Sequence, residues 1–88
     1  MVWRIELTDT AERALKKLDP DSRKRIVGFL KEGVAASANP RAQGKALQGE
    51  LRSYWRYRVG PYRLICRIED EAVRILLVRA GHRKDIYR

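Results

Sequence analysis

Two neighbouring runs of the chain carry arginine at alternating positions. In Tyr54-Trp55-Arg56-Tyr57-Arg58-Val59 they are Arg56 and Arg58, and in Tyr62-Arg63-Leu64-Ile65-Cys66-Arg67-Ile68 they are Arg63 and Arg67. A guanidinium keeps its charge at any working pH and meets a phosphate through two parallel hydrogen bonds, so this residue type holds anions and does not abstract protons. Tyr54 falls in phase with Arg56 and Arg58, and its ring offers a flat surface to an unstacked base. His82 is the one histidine in the chain. With an unperturbed pKa of about 6.5 it is a candidate for proton transfer near neutral pH. The one cysteine, Cys66, lies inside an apolar alternation and reads as a small buried thiol. One cysteine and one histidine cannot build a structural zinc site, so no metal is expected.

Charge points the same way. Twenty Lys and Arg stand against eleven Asp and Glu, for a net charge of +9. The excess is concentrated towards the end of the chain: residues 52–88 hold ten basic and four acidic side chains, and nine of those ten bases are arginine. Such a field suits a polyanionic partner, nucleic acid above all.

These side chains need a frame. At 88 residues the chain makes one domain, spanning 1–88, and its 44% hydrophobic content is that of a folded protein. Val2 to Leu7 alternates apolar and charged residues, which predicts a strand with one buried face; the same alternation leaves no room for a signal peptide or a membrane span, so a cytoplasmic location is expected. Asp9 and Glu12 fit a capping pair, after which Ala11, Ala14, Leu15 and Leu18 line one helical face. Asp19-Pro20 opens a second helix, with Ile26, Leu30, Gly33 and Val34 inward and Arg23, Lys24, Arg25 and Lys31 towards solvent.

Residues 39–51, with Pro40, Gly44 and Gly49, read as a loop. From residue 53 onward the period is two. Trp55, Tyr57 and Val59 share one face, and Gly60-Pro61 is a tight connection. Tyr62, Leu64, Cys66 and Ile68 then alternate with Arg63, Ile65 and Arg67, and Ala72 to Ala80 forms a last strand. Trp3 and Trp55 are assigned to the core or to a partner contact. The order strand-helix-helix-strand-strand-strand predicts an α+β domain, its two helices on one face of a small, mainly antiparallel sheet. The opposite face is then free to carry Arg56, Arg58, Arg63 and Arg67 with Tyr54 beside them.

The same residues carry a family resemblance. Leu47-Gln48-Gly49, Tyr54 to Gly60, Tyr62 to Ile68 and Gly81-His82-Arg83-Lys84-Asp85-Ile86-Tyr87 resemble the RelE/ParE toxin superfamily, and its RelE branch in particular, over essentially the whole chain. The resemblance implies the toxin of a type II toxin–antitoxin system: a ribosome-dependent, metal-independent endoribonuclease that cuts mRNA, needs no cofactor and is silenced by a cognate antitoxin protein. It also implies roles. Arg63 is similar to the strand arginine that holds the scissile phosphate. Arg83 is similar to the arginine that steadies the charge developing during cleavage, and Tyr87 to the C-terminal tyrosine that stacks on a base and orients the attacking hydroxyl. Arg56 and Arg58 fall where many relatives have two lysines and can only attract phosphate, which leaves the general base open, with His82 a candidate. RNA cleavage is compatible with this set, because the 2′-OH can attack the adjacent phosphorus given alignment and stabilisation of negative charge.

Two other readings share these features. A ParE-like inhibitor of DNA gyrase has the same fold without the nuclease residues. A non-enzymatic nucleic-acid-binding module would use the two helices as a helix-turn-helix, against which Asp19, Asp21 and Glu32 offset the helix bases.

Overall fold

The computed structural model describes residues 3–47 and 54–82. Strand β1 (Arg4–Leu7) leads into helix α1 (Asp9–Lys16). The cap of α1 is Thr8, one residue before the predicted Asp9. Its Oγ accepts from the Ala11 N–H at 3.1 Å and donates to the Val78 carbonyl at 2.9 Å, tying the helix start to the sheet. Asp9 and Glu12 stand instead in the first turn, where the helix dipole favours a negative charge.

Helix α2 (Pro20–Gly28) opens as the sequence predicts. Asp19 accepts from the Ser22 N–H and Pro20 takes the first position. The helix continues through a π-helical stretch (Phe29–Ala35). Bonds from i to i+5 widen the turn, so Leu30 and Ala35, five apart, both reach the core along with Val34.

The sheet has five strands in the order β1-β5-β4-β3-β2, with β2 (Lys45–Ala46), β3 (Tyr54–Val59), β4 (Tyr62–Glu69) and β5 (Arg74–His82). All neighbours are antiparallel except β1 and β5, which run parallel with Ile5 beside Ile75. The hairpin at Gly60-Pro61 is as tight as expected: Val59 pairs with Tyr62, and Gly60 takes φ +57. Both helices pack on one face. Ala11, Leu15, Ile26, Leu30 and Val34 meet Tyr57, Val59, Leu64, Cys66, Ile75 and Leu77 there. Each large aliphatic side chain so buried contributes about 1.5–3 kcal/mol. Trp3 belongs to this core, and Trp55 packs against it while its indole N–H donates to the Gln43 carbonyl.

Within the predicted loop the structure has a short 3₁₀ turn (Pro40–Ala42) and strand β2. Side chains hold this segment down. Tyr57 donates its hydroxyl to the Pro40 carbonyl at 2.6 Å, Gln43 donates to the Gly33 carbonyl at 2.7 Å, and Arg41 forks onto Asp70 at 2.9 and 2.8 Å. Gly44 takes φ +75 and runs so close to β3 that a Cβ would lie 2.2 Å from the Arg56 carbonyl oxygen. Only glycine fits both demands.

A one-residue slip decides what β5 shows to each side. Cys66 pairs with Leu77 and Ile65 with Arg79, so Val78 is an extra residue on β5. Before the bulge Ile75 and Leu77 point to the helices; after it Ala80 and His82 take that side, and Arg79 and Gly81 turn to the open face.

Candidate nucleic-acid interface

The face away from the helices is built by register. Arg58 of β3 stands opposite Arg63 of β4, and Arg63 stands opposite Gly81 of β5. One row along, Lys45, Arg56, Ile65 and Arg79 cross the sheet from β2 to β5, and two residues further Tyr54, Arg67 and Leu76 form the next row. Directly opposed side chains have Cβ atoms about 5 Å apart, which sets Arg58 and Arg63 side by side on this face. Ile65 is buried on this face, outside the helix-side core, beneath the row that Arg56 and Arg79 flank. Arginine stems can cover such apolar surface while their heads stay in water.

Charge on this face is sorted. At one end Arg74 is clamped between Glu69 and Glu6, with Arg67 3.9 Å from Glu69 and Arg4 3.9 Å from Glu6. At the other end, among the described residues, none of Lys45, Arg56, Arg58 and Arg79 lies within ion-pairing distance of a carboxylate. Among the described residues the cationic side chains are therefore least offset towards the Arg58 end of the face, and a basic surface of this kind suits an anionic partner.

The structure thus brings together Tyr54, Arg56, Arg58 and Arg63. It places Arg67 at the partly neutralised end of the same face, in line with Tyr54. Lys45 joins the set, although no local pattern points to it: a two-residue strand has no period to read, and it lies in the stretch expected to be a loop. Arg79 joins because of the bulge at Val78.

His82 does not join. It pairs with Tyr62, and the two rings meet edge to face at 6.1 Å on the helix side of the sheet. Tyr62 in turn donates to Ser22 of α2 at 3.3 Å, which fixes that side. His82 lines a groove with Arg13, Lys17 and Leu18, a sheet's thickness from the Arg63 side chain. The expectation that His82 acts with Arg63 is corrected by this geometry: adjacent positions on a strand point to opposite faces. Arg83 and Tyr87 lie outside the described residues.

Cys66 is fully buried, and burial pushes its thiol up to about 12, so it stays protonated and inert as the sequence suggests. Tyr57 is likewise pushed up by burial and serves as a structural hydroxyl. No cluster of potential metal ligands occurs among the described residues. No described helix is long and apolar enough to cross a membrane.

A family model described as the ParE toxin of the parDE type II toxin–antitoxin system matches residues 5–87. The chain belongs to the RelE/ParE family of type II toxins. This toxin is 39% identical over 88 residues to Toxin RelG of Mycobacterium tuberculosis, a match covering 100% of this chain and 99% of that one. It is also similar to a chain of the RelBE2 toxin–antitoxin complex of M. tuberculosis. That similarity has a TM-score of 0.86 and 34% identity, and covers 97% of this chain and 95% of that chain. For the RelB–RelE antitoxin–toxin complex of Methanococcus jannaschii the TM-score is 0.72 at 30% identity, with 93% and 94% covered. The RelE-like α+β fold expected from the sequence is the fold observed.

Proposed function

We propose that this toxin is a ribosome-dependent endoribonuclease that cleaves mRNA and is held inactive by a cognate antitoxin. One observation carries the reading: Arg58 and Arg63 are opposed on adjacent strands, beside a row in which Lys45, Arg56 and Arg79 have no described carboxylate within ion-pairing distance. Guanidinium groups gathered this closely on one face suit a phosphodiester lying across them.

The chemistry follows from that seat. The ribose 2′-oxygen attacks the adjacent phosphorus, the bond from phosphorus to the 5′-oxygen breaks, and the products are a 2′,3′-cyclic phosphate and a 5′-hydroxyl. The 2′-OH proton passes to solvent water as the new bond forms, and the departing 5′-oxygen takes a proton from solvent water. Arg63 holds the phosphate. Arg83, by its place in the family motif, steadies the extra negative charge of the transition state, and Tyr87 stacks on a base and orients the hydroxyl. A preorganised donor of this kind is worth about 3 kcal/mol. Arg56, Arg58 and Lys45 hold flanking phosphates, Tyr54 offers its ring to an unpaired base, and Arg67 extends the track. No cofactor enters this scheme.

The antitoxin reading draws on the solved relatives, which are toxin–antitoxin complexes. An acidic segment laid on the cationic face would neutralise it and exclude RNA together. A translation reaction with intact ribosomes, run in parallel with a gyrase supercoiling assay, tests the proposal. Cut message with unaffected gyrase is expected; intact message with inhibited gyrase would overturn it.

A further inference from the structure

Gly81 stands directly across from Arg63 in the β4–β5 ladder, so its missing side chain belongs to the arginine face. Nothing in the backbone asks for glycine there. Gly44 and Gly60 take positive φ; Gly81 does not. A Cβ at Gly81 meets no described heavy atom within 4 Å, so none of the described packing requires glycine. Glycine in a strand loses more entropy than any other residue and packs against nothing. A strand glycine often marks a bulge or a place where another backbone or a ligand comes close, and the bulge of β5 lies three residues earlier, at Val78. Around this space stand Arg63 across the ladder, Arg58 beyond it in the same row, and Arg79 two residues earlier on the same face of β5.

We propose that Gly81 is a positioning residue for RNA cleavage: the place its missing side chain would take seats the sugar–phosphate backbone at the scissile link, beside Arg63. The inference rests on the reading that this toxin cleaves RNA. A side chain at position 81 would stand about 5 Å from the Arg63 Cβ and push the backbone off its line. Displacement on the order of 1 Å costs roughly 100-fold in rate, because attack requires the reacting atoms to be aligned.

The test measures cleavage of message on programmed ribosomes by the full-length toxin and by Gly81→Ala, Gly81→Val and Gly28→Ala, each with a thermal melt. Gly28 also has no described heavy atom within 4 Å of its Cβ but lies on α2, the helix packed on the opposite face of the sheet, in a groove that reaches Arg58 at its rim. The expected result is a graded loss, roughly 10-fold for alanine and 100-fold for valine, with melting at or above wild type and Gly28→Ala cleaving normally. The loss should fall on kcat more than on KM, since flanking phosphates still bind. Should the valine variant fail to fold, the alanine variant decides. Wild-type rates in a folded Gly81 variant would overturn the inference alone. A wild-type toxin that cuts nothing would overturn the nuclease reading and the inference with it.

Discussion

Arg63 and His82 sit on adjacent strands one register position apart, yet their side chains leave the sheet on opposite faces. The extra residue Val78 on β5 shifts the alternation, so the strand's final residues present Gly81 to the arginines and His82 to the helices. On the proposed nuclease reading, proton transfer at the phosphate is assigned to a group other than His82.

His82→Gln should leave cleavage within about threefold of wild type, while Arg63→Ala should lose about 100-fold or more, the usual cost of removing one donor from a developing anion. Single-turnover cleavage rates across pH check this. The wild-type profile should show no inflection that disappears with the His82 substitution; such an inflection would return His82 to the mechanism.

Acid should weaken the fold through two named carboxylates. The Arg41 guanidinium, donating to Asp70, holds that carboxyl below its ordinary value, and the Ser22 hydroxyl and amide do the same for Asp19. A carboxyl depressed in the folded state stabilises above its unfolded pKa of about 3.9, and that contribution is lost as pH falls through the lower folded value. Both groups are exposed, so each effect is small. Urea melts taken from about pH 6 down to about pH 2 should show stability falling below about pH 4, with a shallower fall for Asp70→Asn.

Gly44→Ala should destabilise by about 2 kcal/mol or more, because alanine is penalised at φ +75 and its Cβ would collide with the Arg56 carbonyl oxygen. Equilibrium unfolding measures it. Since Gly44 seats Lys45 beside Arg56, the same variant should also bind RNA more weakly. A variant as stable as wild type would show that the segment relaxes freely.

Cys66 should resist alkylation in the native protein and react fully once unfolded, because burial leaves no thiolate to attack the reagent. Mass spectrometry after treatment with iodoacetamide reads both states. Rapid native labelling would mean that the core beneath β4 opens readily.

Much of the frame was legible from local pattern. The Ala11, Leu15, Ile26, Leu30 and Val34 spacing gave both helices, and the alternation from Tyr54 to Ile68 put Arg56, Arg58 and Arg63 on one face. Three features left no local trace. The two residues of β2 are too few to show a period, and they pair only because Gly44 lets the chain approach β3. The parallel docking of β1 beside β5 joins segments about seventy residues apart. The bulge lies within Ile75-Leu76-Leu77-Val78, a run apolar throughout, where a slip of one residue changes nothing in the pattern. That hidden slip governs Arg79, Gly81 and His82, so the site was readable on β3 and β4 and misleading on β5.

On the proposed reading, guanidinium groups hold one phosphodiester for attack by its own ribose. Mapping the ends of message recovered from intact ribosomes tests it most directly, with wild type compared against Arg63→Ala and Arg83→Ala proteins that still melt cooperatively. The expected result is discrete cuts leaving a 2′,3′-cyclic phosphate on one side and a 5′-hydroxyl on the other, absent in both variants. Uncut message with the wild-type toxin, or unchanged cutting by the Arg63 variant, would contradict it.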